Sequence, residues 1–568
     1  MSRVILTFGI TRRFSSKPSY FHNPGKTPLV YRNVGQQLEI STRRFPNREA
    51  IVACSENERL TFADLDEKVS RLGAGFVKLG LQPGDAIAIW GPNYLHWAIS
   101  MLAAARSGLV TVGINPNFQA SEVKYSLNKV GVKALVASET YRNTNYYTIL
   151  EEIIPELKNS EPGKIKSESV PSLRSLIIPS TDKYNGAFKF CDMMDLANKT
   201  EIESLEKNCD NISPDAPCNI QFTSGTTGLP KAAVLSHNGL VNSAETFTKA
   251  LNLEDARICG ILPLFHCYAL LVGKLAAIVA GATYVIPSPY FIAEKALKTV
   301  VEEKCTHLQG TPTMYVDLVE KQKELKLPIT TLKHALTGGA SCSPQFINDI
   351  RDVLKIPAVR NAYGASETSA NAFIQKFIET EENNLTTVGS LNEHLEAKVI
   401  DPNGKTLPFG QLGELCIRGY NIMLEYYGDE EKTREVLDKD RWYKTGDQFI
   451  LREDGHGIIA GRIKEMIIRG GENLFPKEIE DFLNAHPDII ESHVIGVPDR
   501  RLGEEMCAFV RVKEGAELNL DVLKQYCKGK IAHFKIPRYL RIVKEFPKTT
   551  SGKIQKFKLK EMYESEEN

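Results

Sequence analysis

The chain has 568 residues, of which 42% are hydrophobic and 25% are charged. These values are typical of a folded globular protein, and the length predicts about two to four domains because one hydrophobic core rarely organises so long a chain. Lysine plus arginine and aspartate plus glutamate both total 70, so no net charge favours nucleic acid or an anionic membrane surface as a partner. The 11 cysteines form no C-x-x-C pair, which favours reduced, mostly buried thiols.

The first residues differ from the rest in composition. No acidic residue occurs between Met1 and Leu38, and the opening MSRVILTFGITRRFSS combines arginines, apolar residues and serines. This composition is typical of a mitochondrial transit peptide, which we predict over residues 1–18. We therefore expect the protein in the mitochondrial matrix. A disordered basic tail is the alternative.

Two long apolar runs further along carry a charge near the middle. Arg106 lies in YLHWAISMLAAARSGLVTVGI, and Lys274 lies in YALLVGKLAAIVAGATYVI. A charge at the bilayer centre is costly, so no transmembrane segment is predicted. We expect both runs to be buried helices leading into strands, with the lysine close enough to a helix end to reach water.

Short apolar runs alternate with helical patterns over much of the chain, which favours an α/β fold with largely parallel sheets. GDAIAIWGPN, LVTVGINP, KALVASE and SLIIPS are predicted strands, and LHWAISMLAAARSG is a predicted helix. After Gly389 turn residues separate short apolar runs, which predicts hairpins and a small antiparallel or barrel-like unit. The segment after GRIKEMIIRGGENLFP has strands and helices of its own and is predicted to form a separate small domain.

The stretch FTSGTTGLPKA, residues 222–232, has the composition of a phosphate-binding loop, because glycines and small hydroxylated residues expose backbone N–H groups. It is not a Walker A loop, since only two residues separate Gly225 from Gly228. By composition alone, an ordinary loop remains the alternative. The residues predicted to contact ATP are Thr223, Ser224, Gly225, Thr226, Thr227, Gly228, Leu229, Pro230 and Lys231.

The string TSGTTGLPKA resembles the signature loop of the adenylate-forming superfamily, which includes acyl-CoA synthetases, adenylation domains of peptide synthetases and beetle luciferases. Further signatures follow in the order typical of that superfamily: NAYGASE, WYKTGD, GRIKEMIIRGGEN and TTSGKIQK. The resemblance extends from about residue 30 to the last residue. The segments GELCIRGY, CKGKIAHFKIP and SGKIQKFKLK resemble most closely the mitochondrial medium-chain acyl-CoA synthetases.

This resemblance implies two domains with the active site between them. A large N-terminal adenylation domain of stacked α/β sheets and a small β-barrel-like subdomain is expected over residues 30–461. A hinge is expected over 462–466, with Lys464 as its pivot, and a small mobile α+β domain over 467–568. Domains of this size ordinarily fold around cores of their own.

The resemblance also implies the reaction. An AMP-forming fatty acid–CoA ligase activates a carboxylate with ATP to an acyl-adenylate and pyrophosphate, and then transfers the acyl group to CoA. Both steps move negative charge, so such a site needs cations and oriented donors more than a general base. ATP and CoA are the expected substrates beside a fatty acid of medium chain length, and Mg²⁺ is the expected cofactor.

The roles of individual residues are carried over from the superfamily. Glu367 and Ser366 are expected to help bind Mg²⁺, because a hard cation takes carboxylate and hydroxyl oxygens. Asp447 is expected to bind the ribose hydroxyls, and Arg462 the ribose or the α-phosphate. Without the resemblance, a helix N-cap, a Gly-Asp turn and a surface ion pair would be the alternatives.

Lys553, the first lysine of TTSGKIQK, is expected to be the main catalytic residue of the first step. The resemblance implies that Lys553 bridges the substrate carboxylate and the α-phosphate, whereas an ordinary lysine in a Ser-Gly-Lys turn is solvated. After adenylation the small domain is expected to rotate and to present Gly470, Gly471 and Glu472 to CoA, since glycine lets the pantetheine arm pass close to backbone. Lys535 is a candidate for a CoA phosphate, with a solvated lysine as the alternative.

The acyl pocket is the least readable part of the site. His266 occupies the gate position of the superfamily, with a satisfied core histidine as the alternative. Gly310, in QGTPTM, is expected in the pocket floor, and Gly338 and Gly339, in TGGAS, in backbone that contacts adenine. Tyr363, in NAYGASE, is expected to contact ATP. Spacing does not predict the chain length of the acid.

Two other functions are open at this point. The same adenylation could act on an aromatic or branched acid, or deliver to a carrier-protein thiol, although no carrier domain is recognisable and RGGEN favours CoA. A non-catalytic acyl- or nucleotide-binding protein is the third hypothesis. The joint presence of Glu367, Asp447, Arg462 and Lys553 argues against it. No oligomeric state is predicted.

Overall fold

The computed structural model describes residues 17–223, 230–338, 344–470, 472–528, 530–550 and 552–567. Residues 1–16, the greater part of the predicted transit peptide, lie outside the described residues. No helix in the described ranges is long and apolar enough to cross a membrane.

An eight-stranded sheet forms one layer of the large part of the chain. Its first six strands in spatial order are parallel neighbours, and the last two pair antiparallel. The predicted strands GDAIAIWGPN, LVTVGINP, KALVASE and SLIIPS all lie in it. In spatial order the strands are Ala187–Lys189, Ser175–Ile178, Ala134–Ala137, Ala86–Trp90, Val110–Ile114, Pro217–Thr223, Lys231–Ser236 and Glu425–Tyr426.

A nine-stranded sheet forms a second layer, with six parallel strands at its centre and antiparallel strands at both edges. The central strands are buried on both faces, as expected where helices cover a parallel sheet. The strands are Ser390–Leu391, Phe373–Ile374, Ala358–Tyr363, His334–Gly338, His307–Gly310, Arg257–Gly260, Thr283–Ile286, Glu49–Ala53 and Glu58–Thr61.

A five-stranded antiparallel sheet follows Gly389, as the turn-rich pattern predicts. It also takes in a strand from near the N-terminus, which pairs with the second strand of the sheet. In spatial order its strands are Tyr20–Asn23, Leu395–Ile400, Leu412–Gly419, Tyr443–Leu451 and Gly457–Arg462. A separate hairpin joins Thr140–Tyr141 to Thr144–Asn145.

The C-terminal part has a sheet of its own, in which Glu472–Leu474, Ile467–Arg469, Gly503–Val512 and Ile489–Asp499 are neighbours and Tyr539–Ile542 pairs parallel to Gly503–Val512. Two apolar clusters built from residues after 466 pack on it. The clusters fit a small domain with its own core, and the boundaries at 461 and 467 stay predictions.

Helices cover the sheets and connect their strands. Their starts follow local chemistry; for example, the side chains of Thr61 and Asp64 cap each other's backbone N–H groups at the start of Phe62–Lys78. The α-helices are Val34–Arg44, Phe62–Lys78, Leu95–Arg106, Ala120–Lys129, Tyr146–Ile153, Phe190–Met194, Lys199–Cys209, His237–Leu251, Ala276–Ala280, Ala293–Glu302, Pro312–Leu325, Pro344–Leu354, Glu381–Thr386, Glu430–Val436, Pro476–Leu483, Leu520–Cys527 and Lys556–Glu567. Ala269–Leu275 is a π-helix, and Cys54–Glu56, Pro155–Asn159, Ser366–Thr368, Ile463–Glu465 and His533–Lys535 are 3₁₀-helices.

Both long apolar runs are buried helices leading into strands, as predicted. The prediction that Lys274 reaches water is wrong, because its side chain is 0% exposed. Its ammonium nitrogen lies 3.3 Å from the carbonyl oxygen of Ala98 and 5.2 Å from the centre of the Trp97 ring. Burial lowers the pKa of Lys274 to about 7.

Candidate active site

Three neighbouring parallel strands of the nine-stranded sheet end at predicted site residues. Gly310, Gly338 and Tyr363 are the last residues of their strands, and the register pairs Gly310 with Thr337 and Gly338 with Ala362. Ligands of α/β proteins bind outside the carboxyl ends of parallel strands. A β-carbon at position 338 would lie 2.9 Å from the carbonyl oxygen of Ala362, so this strand end has no room for a side chain.

A cavity opens at this edge of the sheet. It brings together four predicted residues from separate parts of the sequence: His266, Gly338, Ser366 and Lys553. The complete lining is Leu262, Pro263, His266, Cys267, Tyr268, Ala269, Thr311, Gly338, Ala362, Gly364, Ala365, Ser366, Ala370 and Lys553. The lining is mostly apolar with a few polar groups, as is typical of a small-molecule site. Gly310 is not in the lining, and its neighbour Thr311 takes that place.

A buried carboxylate lies beside the cavity where a ribose was predicted. The hydroxyl of Tyr363 donates to Oδ2 of Asp447 at 2.6 Å, and Nε of Arg462 lies 3.5 Å from Oδ1. Asp447 and Arg462 face each other on paired strands. Burial raises the pKa of Asp447, while Arg462 and Tyr363 oppose the rise. The predicted ion-pair alternative for Arg462 is therefore also present, with Asp447 as the partner.

A second hydrogen-bonded chain joins the predicted phosphate lysine to the predicted metal carboxylate. Nζ of Lys231 lies 2.8 Å from the hydroxyl of Tyr426, which donates to Oε1 of Glu367 at 2.7 Å. Glu367 is 8% exposed and sits in the single 3₁₀ turn Ser366–Thr368, so it does not cap a longer helix. Burial lowers the pKa of Lys231, and the charge of Glu367 opposes that shift. The described residues hold no group of three or more His, Cys, Asp or Glu side chains suited to a metal.

The phosphate loop is described only at its two ends. Thr223 and Lys231 are cross-strand partners in the eight-stranded sheet. Residues 224–229, which include the predicted Ser224, Gly225, Thr226, Thr227, Gly228 and Leu229, lie outside the described residues, as does Gly339. Pro230 accepts a hydrogen bond from the hydroxyl of Tyr125 at its carbonyl oxygen, at 3.0 Å. The hydroxyl oxygen of Thr223 is buried and has no hydrogen-bond partner within the described ranges. Buried polar groups are ordinarily hydrogen-bonded, so this hydroxyl fits a donor to a bound phosphate.

Lys553 is carried into the cavity by a short hairpin of the C-terminal part. Lys548 and Ile554 pair at the base of this hairpin, and the N–H of Thr549 donates to the carbonyl oxygen of Lys553 at 2.7 Å. Burial, followed by the charge of Arg462, lowers the pKa of Lys553, while Cys267, Glu367 and Asp447 are among the groups that oppose this. Lys553 is half-buried and lines the cavity, which favours the predicted site role over a fully solvated lysine.

The hairpin touches the large part at its tip. The hydroxyl of Thr313 donates to the carbonyl oxygen of Gly552 at 2.6 Å, and Thr550 bonds to Asn115 and Asn117 at 2.7 Å each. Gly552 has a φ of +82°, and a β-carbon there would lie 2.6 Å from Oγ1 of Thr311. Glycine is therefore needed both for the turn and for the close approach.

His266 lines the same cavity as Lys553, and its ring is uncharged. Its Nδ1 accepts the N–H of Tyr268 at 3.2 Å, which places the ring proton on Nε2. Burial and then the charge of Lys553 lower the pKa of His266 to about 3. The next residue, Cys267, has its sulfur 3.4 Å from the hydroxyl of Ser366, and burial raises the pKa of its thiol to about 11.

The predicted CoA residues lie outside the cavity lining. Gly470, with a φ of +59°, and Glu472 belong to the hairpin that joins Ile467–Arg469 to Glu472–Leu474, and Gly471 lies outside the described residues. Lys535 forms an ion pair with Glu478 in the same part of the chain. The predicted pivot Lys464 is exposed in the 3₁₀ turn after Arg462.

Sequence reasoning missed the residues that support these groups. Tyr426 stands 195 residues from Lys231 and 59 from Glu367, so no local spacing connects them. Thr313 falls within QGTPTM, and nothing in the sequence links it to Gly552, 239 residues away. Such contacts come from the packing of distant segments, which one sequence without aligned relatives does not reveal.

The chain matches two family models: AMP-binding enzyme over residues 38–427, and AMP-binding enzyme C-terminal domain over residues 478–553. It is 41% identical to the human medium-chain acyl-CoA ligase ACSF2, mitochondrial, over 96% of this chain and 90% of that protein. The zebrafish (Danio rerio) protein of the same name is 40% identical over 96% and 91%. The putative acyl-CoA synthetase YngI of Bacillus subtilis (strain 168) is 37% identical over 94% and 97%.

Solved structures share the fold. ATP-bound MatB from Rhodopseudomonas palustris superimposes with a TM-score of 0.78 at 26% identity, covering 94% of this chain and 99% of that one. The anthranilate CoA ligase AuaEII, in complex with anthranoyl-AMP, gives 0.83 at 23% identity over 95% and 98%. These likenesses confirm the predicted α/β fold with a large N-terminal and a small C-terminal part. The chain therefore belongs to the AMP-binding enzyme family, among the AMP-forming acyl-CoA ligases.

Proposed function

We propose that this enzyme joins medium-chain fatty acids to CoA in mitochondria, through an acyl-adenylate. The position of Lys553 carries the proposal: a half-buried cation lines a largely apolar cavity, close enough to Asp447, Glu367 and Arg462 for their charges to act on it. The names of the ACSF2 relatives support the chain length and the compartment. The basic, serine-containing N-terminus supports the compartment independently.

In the first step, a carboxylate oxygen of the acid forms a bond to the α-phosphorus of ATP. The bond from the α-phosphorus to the oxygen bridging to the β-phosphate breaks, and pyrophosphate leaves. We assign Lys553 to bridge the attacking carboxylate and the α-phosphate, because a preorganised cation in a largely apolar cavity stabilises the charge of the transition state. Arg462 is assigned to the α-phosphate or ribose, and Asp447 to the ribose hydroxyls.

Residues at the other end of the site, away from Lys553, are assigned to the nucleotide. Lys231 and the loop before it are assigned to the β- and γ-phosphates, with the buried hydroxyl of Thr223 as one donor. The strand ends at Gly338 and Tyr363 form backbone against which adenine can lie. His266 is uncharged at neutral pH, so it does not compete with Lys553 for the carboxylate and can line the entry of an apolar chain.

Glu367 and Ser366 fit a Mg²⁺ ion that is bound mainly through ATP. Mg²⁺ usually takes one or two protein carboxylates and completes its shell with phosphate oxygens and water. Glu367 supplies one buried carboxylate, oriented by Tyr426, and Ser366 supplies a hydroxyl at the cavity wall. The ion, when bound with ATP, neutralises phosphate charge. The chain's own contribution is to orient the phosphates around it.

In the second step, the CoA thiol sulfur forms a bond to the carbonyl carbon of the adenylate. The bond from that carbon to the phosphate oxygen breaks, AMP leaves and the thiol proton passes to solvent. We propose that the small domain rotates about Lys464 between the steps, withdrawing Lys553 and presenting Gly470, Gly471 and Glu472 to the pantetheine arm. The separate apolar clusters of the C-terminal part support motion as one body. Lys535 stays a candidate for a CoA phosphate.

The test is the purified protein assayed for pyrophosphate release and for acyl-CoA. ATP, Mg²⁺ and CoA are supplied with straight-chain acids of about four to eighteen carbons and with benzoate, since fold likeness does not fix the substrate. We expect thioester product with a maximum at intermediate chain lengths. A maximum at benzoate or at long chains would contradict the chain-length assignment. Pyrophosphate release without thioester would contradict CoA as the acceptor.

A further inference from the structure

Two salt bridges join the large and small parts of the chain away from the cavity. Oδ1 of Asp317 lies 3.7 Å from Nη2 of Arg511, and Oδ2 lies 3.7 Å from Nζ of Lys548. Asp317 belongs to the helix Pro312–Leu325, and both cations belong to the C-terminal part. The three side chains are 36%, 20% and 26% exposed, so the pairs are partly shielded from solvent screening.

These pairs act on the hairpin that carries Lys553. Lys548 forms the base of that hairpin by pairing with Ile554. One helical turn before Asp317, Thr313 bonds to the carbonyl oxygen of Gly552 at the hairpin's tip. Residues four apart lie on the same helix face, so a single face holds both the base and the tip of the hairpin.

Arg511 has a second ionic neighbour, which lies in the small part of the chain. Nη2 of Arg511 is buried without a hydrogen bond to any described residue, and it lies 3.6 Å from Oε2 of Glu491. Glu491 and Arg511 are cross-strand partners in the C-terminal sheet, so this pair moves as one unit. A rotation of the small part keeps the Arg511–Glu491 pair and separates both cations from Asp317.

We propose that Asp317 is a positioning residue that favours the adenylating arrangement by holding the Lys553 hairpin in the cavity. The proposal rests on the function assigned above to Lys553. Asp317 lines no part of the cavity. Burial raises the pKa of Asp317, and the charges of Lys548 and Arg511 oppose that rise. Because both cations face Asp317 only in the docked arrangement, its two ion pairs favour that arrangement, and their removal shifts the population without altering any group that binds ATP, acid or CoA.

The two half-reactions separate this role from a merely structural one. Adenylation is followed as pyrophosphate released in a single turnover without CoA, and thioester formation is followed from supplied acyl-adenylate plus CoA. For Asp317→Asn we expect adenylation to slow by about three- to tenfold, the range that two partly exposed ion pairs support. Thioester formation should stay within about twofold of the wild-type rate, since the rotated arrangement loses nothing.

Glu320→Gln is the matched control, because Glu320 lies on the same helix and pairs only within it in the described contacts, with Lys323 at 2.8 Å. It should leave both half-reactions unchanged. Asp317→Glu keeps the charge and should recover most of the adenylation rate. The exchange Asp317→Lys with Lys548→Asp restores one opposite-charge pair and should adenylate faster than Asp317→Lys alone.

Equal loss of both half-reactions in Asp317→Asn, or a rate like that of Glu320→Gln in both, would overturn the proposal. Lys553→Ala in the same assays separates this failure from failure of the proposed function. If Lys553→Ala adenylates normally, the role of Lys553 is wrong, whatever Asp317 does. If Lys553→Ala loses adenylation while Asp317→Asn behaves like the control, the role of Lys553 stands and only that of Asp317 falls.

Discussion

The nucleotide end and the lysine end of this site are held in different ways. Asp447 and Glu367 are each fixed by a tyrosine hydroxyl at 2.6 and 2.7 Å, and all four residues belong to the large part of the chain. Lys553 enters on a hairpin of the small part, whose docking contacts are made with Thr313, Asn115, Asn117 and Asp317 of the large part. The first set lies within one part of the chain and is held by its own hydrogen bonds. The second joins two parts, and in the proposed two-step reaction it is the set that separates.

Removing the lysine tests this difference most severely. We expect Lys553→Ala to slow adenylation by about 100- to 1000-fold, because a preorganised charge in a largely apolar cavity contributes on that scale to a transition state. Thioester formation from supplied acyl-adenylate should change little, since Lys553 is withdrawn by then in the proposed reaction. Single-turnover measurements of both half-reactions check this. Equal losses in both would show that the lysine is not withdrawn between the steps.

Removing a carboxylate charge from the nucleotide end should affect ATP binding. We expect Asp447→Asn to raise the KM for ATP by about 10- to 100-fold, the scale of a lost charge-assisted hydrogen bond. Tyr363→Phe, which takes away the hydroxyl that orients Asp447, should raise it less. Initial rates over a series of ATP concentrations measure both effects. An unchanged KM for ATP in Asp447→Asn would show that this residue does not bind the nucleotide.

Raising the pH should affect the two half-reactions differently. Burial lowers the pKa of Lys553 from the ordinary lysine value, so the cation is lost at a lower pH than a solvated lysine would need. The protonated form is the active one, so adenylation should be full below the lowered pKa and fall as pH rises through it. The limiting slope is about tenfold per pH unit. Thioester formation from supplied adenylate should not follow this profile.

Lys553→Arg is the control for the pH profile, because a guanidinium stays charged throughout the range. Its adenylation rate will be lower than that of the wild type, since the geometry differs, but it should not fall over the same pH interval. A fall shared by both proteins would assign the titration to another group.

The smallest effect is expected from the hydroxyl that links the phosphate lysine to the metal carboxylate. Tyr426→Phe keeps the buried ring and removes the bonds to Lys231 and Glu367. We expect about three- to tenfold more Mg²⁺ to be needed for half-maximal adenylation, in line with the net loss of the hydrogen bond that orients Glu367. Titration of the single-turnover rate with Mg²⁺ checks this. An unchanged Mg²⁺ requirement would show that Glu367 needs no orienting partner.

The fold was largely predictable from the sequence, and the site only in part. Uniformly apolar strands such as Ala86–Trp90 and turn-punctuated runs after Gly389 follow directly from burial and from turn chemistry. The signature motifs placed His266, Ser366, Gly338 and Lys553 in one site although they are far apart in the chain. Resemblance achieved this, because no periodicity brings residue 553 next to residue 266.

Supporting residues were not predictable in this way. The contacts of Tyr426, Thr313 and Asp317 arise only when separate elements pack. Lys274 shows the converse error: its position near a helix end predicted contact with water, but neighbouring segments cover it completely. Local sequence describes an element's own surface and not what tertiary packing places upon it.

Where the hairpin meets the large part, the space beside Gly552 is too small for even one methyl group. The added carbon would meet Thr311 at 2.6 Å, and the backbone there has a φ of +82°. The contact with Thr311 belongs to the seated hairpin, so under the proposed rotation a side chain at this position would penalise the adenylating arrangement more than the rotated one. A single hydrogen atom in place of a side chain is then what gives Lys553 access to the cavity, and bulk added there would impair the first reaction before the second.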